Sequence, residues 1–191
     1  MNDDNARAVV IGASAGAVEA LSAILPTLPA DYGAPIMIVV HVPADKGSVL
    51  ADLFKMKCAI AVREAEDKEQ ASPGTVYFAP ADYHLLVEED GRLSLSNEEP
   101  VHYSRPSIDV LFESAADAYG PHLIGVLLTG ANHDGAKGLA AVARAGGEAI
   151  VQNPAEAFAR AMPEAALAVR PDARVLSLQD IASYLRGVGK S

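Results

Sequence analysis

Short apolar runs rich in β-branched residues alternate along this chain with stretches of helical periodicity. That alternation is the pattern of a mostly parallel sheet whose strands are covered by helices on both sides. The runs occupy residues 8–11, 36–40, 123–128 and 148–151, with less marked ones at 59–62 and 174–178. Between them, Ile108, Leu111, Phe112, Ala115, Ala116 and Tyr119 fall on one helical face, with Ser107 placed as N-cap and Gly120 as stop. A second helix is expected over 134–144, ending at Gly146-Gly147, and others over 17–25, 48–55, 163–169 and 181–186. One stretch breaks the rhythm: residues 83–87 and 92–96 flank Glu89-Asp90-Gly91, and Asp-Gly between two strand-like runs signals a hairpin. The charged run 63–69 reads as a solvated loop. With no repeat, low-complexity tract or long linker, the expectation is one α/β domain over 1–191: a doubly wound, mostly parallel sheet with helices on both faces and an antiparallel hairpin.

Composition narrows the function classes. Half of the 191 residues are hydrophobic, enough for a core without covalent staples, and the formal net charge is −10. That charge argues against nucleic acid or an anionic membrane surface as the main partner. Cys58 is the single cysteine, which excludes an internal disulfide and a Cys-rich zinc site. The N-terminus lacks a basic region followed by an apolar one, and no window approaches the ~18 apolar residues of a membrane span. A cytoplasmic protein without membrane insertion is expected.

Three motifs carry candidate chemistry. Gly12-Ala13-Ser14-Ala15-Gly16 follows the first strand and fits G-x-S-x-G at a strand-turn-helix junction, where the serine hydroxyl projects beside backbone N–H groups suited to an oxyanion. Ser14 reads as a nucleophile or as a cap of the next helix. A dinucleotide fingerprint needs glycine where Ser14 stands. His41 ends the second apolar strand, just before Val42-Pro43, and reads as a general base or as a strand-end histidine bonded to a nearby loop. The third motif is Thr129-Gly130-Ala131-Asn132-His133-Asp134-Gly135, again between strand and helix. Asp134 reads as the orienter of an imidazole or as an N-cap. His133 is a rival base, and the glycine spacing resembles a phosphate loop, but Ala136 takes the lysine position. Carboxyl ends of strands in an open α/β sheet face one crevice, so Ser14, His41 and Asp134 form a nucleophile, base and orienter set. Their chain order differs from that of the α/β-hydrolases. His84, His102 and His122 show no metal-ligand spacing and read as surface or local hydrogen-bonding residues. Arg105 sits at a helix start and reads as solvent-exposed.

At this point the sequence resembles the catalytic domain of the bacterial chemotaxis protein-glutamate methylesterases, the CheB family. The resemblance runs from about Ala8 to the last helix. It rests on Val10-Ile11-Gly12-Ala13-Ser14-Ala15-Gly16, on His41-Val42-Pro43, on the run from Pro73-Gly74-Thr75 to Ala81-Asp82, on Arg105-Pro106-Ser107-Ile108-Asp109, and on Leu127-Leu128-Thr129-Gly130 through Asp134-Gly135. It implies a triad of Ser14, His41 and Asp134, with the backbone N–H of Ala131 in the oxyanion hole and no metal or organic cofactor. It implies hydrolysis of γ-glutamyl methyl esters on chemoreceptor cytoplasmic helices with release of methanol, and deamidation of receptor glutamines in some members. The rivals are a non-catalytic receptor-binding or signalling module and an esterase with another substrate. The family commonly has threonine or another small residue where Ala15 stands, glycine at Ala17, and Met-Gly at Ala131-Asn132, so an altered oxyanion loop or leaving-group pocket is expected before lost activity. Members usually carry an N-terminal receiver domain. The resemblance already fills 191 residues, so the expectation is a fragment, or a stand-alone esterase controlled by a separate regulatory protein or by none.

Overall fold

Along the first strand, Val9, Ile11 and Ala13 pack into one apolar cluster while Ala8 and Val10 pack into another, and all five are fully buried. A period of two with both sides apolar is what a central strand of a covered sheet requires. A computed structural model describes residues 6–43 and 49–190. Its strands are β1 (Ala8–Ala13), β2 (Ile36–Val40), β3 (Ala61–Glu64), β4 (Thr75–Phe78), β5 (His84–Val87), β6 (Leu93–Ser96), β7 (Leu123–Leu127), β8 (Glu148–Gln152) and β9 (Arg174–Leu176). Its α-helices are α1 (Ala17–Ile24), α2 (Val49–Lys57), α3 (Ile108–Tyr119), α4 (Ala136–Arg144), α5 (Ala161–Val169) and α6 (Leu178–Val188).

Seven strands form one parallel sheet in the order β3-β4-β2-β1-β7-β8-β9. The chain winds outward from β1 through β2 toward β3, then returns to lay β7 on the other flank of β1. Helices α1, α2 and α6 bury Leu21, Phe54 and Leu185 against one face. Helices α3, α4 and α5 bury Phe112, Leu139 and Met162 against the other, joined by the antiparallel hairpin β5-β6 through Leu85 and Leu93. The doubly wound sheet, its helices and its hairpin therefore stand as expected, with the hairpin a separate two-stranded sheet.

Several local expectations need correction. Strand β4 was not among the expected runs; its four residues pair with β2 on one side and β3 on the other. Arg63 and Glu64, expected in a solvated loop, belong to β3 at the sheet edge, and Ala65 after them is buried. Helix α4 begins at Ala136, two residues later than expected, because Gly135 is held at φ 98°. Helix α6 begins at Leu178, since Ser177 caps it by accepting a hydrogen bond from the Asp180 N–H at 3.0 Å. The expected start of α2 at Ser48 lies outside the described residues.

Candidate active site

His41, Ser14 and Asp134 stand beyond the carboxyl ends of three adjacent strands, β2, β1 and β7. Winding reverses at β1, so they lie at the topological switch point, where an open α/β sheet forms its crevice. Backbone pairing continues past the strand ends: the His41 N–H donates to Ala13 O at 3.2 Å and the Ser14 N–H to Thr129 O at 2.9 Å. Ser14 and His41 thus sit on neighbouring strand ends ~4.8 Å apart. Both line one cavity of about 320 Å³, walled by Val40, Val42, Leu50 and Phe158.

The turn that carries Ser14 is closed by Gly16, whose φ of 83° lies in the left-handed region. A Cβ there would stand 2.6 Å from Phe158 Cβ, so glycine serves both the turn and the close approach of the cavity wall. Gly16 occupies the N-cap position of α1, and no side chain caps that helix. The capping alternative for Ser14 therefore fails, and its hydroxyl has no hydrogen-bond partner among the described residues. Thr129, fully buried, braces the turn from below. Its hydroxyl donates to Ala15 O at 2.8 Å and accepts the Ala159 N–H at 2.8 Å, tying the serine turn to the segment that carries Phe158. Gln152, at the end of β8, accepts the Thr129 N–H at 2.9 Å.

Asp134 is completely buried and accepts four hydrogen bonds. Oδ2 receives His41 Nε2–H at 2.7 Å and the Ile108 N–H at 2.7 Å; Oδ1 receives the Ser107 hydroxyl at 3.0 Å and the Asp109 N–H at 2.9 Å. Asp134 thus caps α3 rather than its own helix, and the Ser107 hydroxyl, expected to cap α3, is turned to Asp134 instead. Burial pushes the carboxyl's pKa up, but the His41 bond and the N–H groups of Asp109 and Ile108 outweigh it and hold the group below its ordinary value. The carboxylate is therefore ionised where α3 presents its positive end. Asp109 supports this arrangement from behind: its Oδ1 accepts the N–H groups of Gly135 at 3.0 Å and Gly138 at 2.6 Å.

On its other side the imidazole meets Asn132, with Nδ2 at 3.2 Å from His41 Nδ1. His133, the rival base, is exposed and has no side-chain bond to the cluster among the described residues. Ala131 is exposed, and its N–H has no acceptor among the described residues. Arg105 is engaged structurally, bonding Asp82, Asn97 O and Glu98 O. His84 is a core residue with both ring nitrogens bonded, to Glu99 O and the Ser107 N–H.

A serine, a histidine and an ionised aspartate on three adjacent strand ends are consistent with an acyl-transfer site, and the family comparison decides whose. The family model for CheB methylesterase matches residues 9–185. The chain belongs to the CheB methylesterase family. The crystal structure of the Thermotoga maritima CheB methylesterase catalytic domain superposes with a TM-score of 0.91 at 33% identity, covering 96% of this chain and 98% of that one. A Leptospira interrogans protein is 48% identical over 178 residues, 93% of this chain and 92% of its own length. A Symbiobacterium thermophilum relative named protein-glutamate methylesterase/protein-glutamine glutaminase is 39% identical over 185 residues, and a Bordetella parapertussis relative of the same name is 42% identical over 181. This chain spans 51% of the length of each of those two. Within the CheB fold seen here, motif reading singled out Ser14, His41 and Asp134 but not Thr129, Gln152 or Asp109 as supports. The first two are buried polar side chains at strand ends, and Asp109 is an acidic residue on the apolar face of α3.

Proposed function

We propose that residues 1–191 form a single CheB-type catalytic domain that hydrolyses γ-glutamyl methyl esters on the cytoplasmic helices of chemoreceptors, releasing methanol. The observation that carries the reading is the 2.7 Å bond from His41 Nε2 to ionised Asp134, with Ser14 across the same cavity from the imidazole. Because Nε2 is committed to Asp134, the nitrogen that serves the nucleophile is Nδ1. Ser14 Oγ attacks the ester carbonyl while Nδ1 takes its proton, and Asp134 stabilises the resulting imidazolium. The oxyanion takes as donor the N–H of Ala131, which has no acceptor among the described residues. Collapse breaks the bond to methoxide, which leaves as methanol with the proton returned from His41. Water then attacks the glutamyl-serine ester by the same relay, leaving a receptor glutamate and free Ser14.

Every proton and bond in this relay is assigned to a group of the chain itself, to substrate or to water. The same steps with ammonia as leaving group constitute glutamine deamidation, the second activity in the relatives' names. Among the described residues no helix is long and apolar enough to cross a membrane; the cytoplasm is the compartment of the receptor helices proposed as substrate. The net charge of −10 favours neutral methyl esters over nucleic acid as the target. The test is methanol release from methyl-labelled receptor by the wild type and by Ser14→Ala. Release by the wild type with a loss of at least about 1,000-fold in the variant supports the assignment. Equal release by both contradicts it.

A further inference from the structure

The hydrogen bonds around Asn132 fix more than a loop. Its Oδ1 accepts the Asp134 N–H at 3.1 Å, and an N–H can be met there only by the amide oxygen. The amide nitrogen is therefore the atom 3.2 Å from His41 Nδ1, and since an amide NH₂ only donates, Nδ1 must be the unprotonated ring nitrogen. That agrees with the opposite side of the ring, where Nε2 carries the proton donated to Asp134 at 2.7 Å. The imidazole is thus held in the base tautomer, but its single lone pair is already taken. Ser14 lines the same cavity, and its hydroxyl has no partner among the described residues.

We propose that Asn132 is a positioning residue that competes with Ser14 for the lone pair of the general base and thereby throttles activation of the nucleophile. The inference rests on the serine esterase reading above and adds a brake to it. Before Ser14 can lose its proton, the Asn132 amide must leave Nδ1, giving up one neutral hydrogen bond. Asp134 keeps the tautomer in place without Asn132, because the ionised carboxylate continues to accept from Nε2. Removing the amide therefore frees the base and keeps its tautomer, at the loss of the Oδ1 acceptor of the Asp134 N–H, which Asn132→Asp retains. Replacing the amide by a carboxylate does the reverse: a carboxylate only accepts, so it requires a proton on Nδ1 and traps the ring between two acceptors.

The experiment measures the second-order rate at which a fluorophosphonate labels Ser14, in the wild type, Asn132→Ala and Asn132→Asp. In that reaction the Ser14 oxygen bonds phosphorus, fluoride leaves, and the serine proton passes to His41. Alongside it, ¹⁵N NMR of the imidazole reports the state of Nδ1 directly. The expected result is labelling about 2- to 10-fold faster in Asn132→Ala, the range set by one neutral hydrogen bond, and at least about 10-fold slower in Asn132→Asp. The Nδ1 signal should be that of an unprotonated, hydrogen-bonded nitrogen in the wild type and should move toward a free one in Asn132→Ala. Opposite signs in two variants of one side chain separate competition from packing, since a packing defect slows both. Asn132→Ala labelled at or below the wild-type rate, or an unchanged Nδ1 signal, overturns the brake and leaves the esterase standing. Ser14 unreactive in all three proteins overturns the esterase reading and the brake together.

Discussion

Asp109 and Asp134 are buried carboxyls joined through the Asp109 N–H, and they are pushed in opposite directions. Burial raises the Asp109 pKa, with the neighbouring charges of Asp134 and Glu113 adding to it; its Oδ2 has no hydrogen-bond partner among the described residues and lies 3.4 Å from His102 Nε2. Asp134, with four donors, is held below the ordinary value. The consequences for stability have opposite sign. Asp134 contributes stability that is complete above the ordinary aspartate pKa and is lost as pH falls through its depressed one. Asp109 is the reverse: the folded state binds its proton more tightly, so stability is gained as pH falls through the raised value toward the ordinary one. Asp109→Asn keeps an oxygen for the N–H groups of Gly135 and Gly138 and cannot ionise. Urea unfolding at a series of pH values should therefore show the variant more stable than wild type near neutrality, with the difference shrinking as pH falls through the raised Asp109 range. A difference independent of pH would contradict the assignment. None of this was legible in the sequence, where Asp109 enters only as part of the motif that begins at Arg105-Pro106-Ser107. Only the fold reveals that its carboxylate is spent on the turn that carries Asp134.

At the scale of elements, the site is a set of strand ends braced against one another, and Thr129 shows how. Its hydroxyl bonds the Ser14 turn at Ala15 O and the segment before α5 at the Ala159 N–H. Thr129→Val preserves the shape and removes both bonds, leaving a partly buried N–H and carbonyl unpaired. A loss of about 1–3 kcal/mol in unfolding free energy is expected, and methanol release should fall with it. Stability and turnover both unchanged would show that the brace is not needed. Apolar runs identified the strands that are continuous and β-branched, and β2 and α3 coincide with their expected limits. Thr75–Phe78 is as short as the expected runs at 8–11 and 148–151 but stands directly behind the turn signal Pro73-Gly74, and it becomes a strand through its neighbours β2 and β3. The Ser177 cap was readable in Ser177-Leu178-Gln179-Asp180, but Leu178 continues the apolar run of β9, and that run obscured the helix start.

For the whole molecule, doubly wound topology explains why residues as distant in sequence as Ser14, His41 and Asp134 converge. Reversing the winding at β1 puts the ends of β2, β1 and β7 side by side and leaves the crevice between them open. Ser14, His41 and Asp134 could be singled out in the sequence because Ser14 and His41 follow apolar runs and Asp134 lies in the loop after a third, and strand ends in such a sheet share one edge. The Asn132 contact and the buried supports depend on loop conformations that no periodicity encodes. The central claim is that Ser14, His41 and Asp134 act as one catalytic unit, and the most direct test is the kcat for methanol release from methylated receptor in Ser14→Ala, His41→Ala and the double variant. Residues acting as a unit give grossly non-additive losses. Each single variant should fall to a common floor, and the double should fall no further. A double variant slower by the product of the two single losses, or a single variant at the wild-type rate, would contradict the central claim.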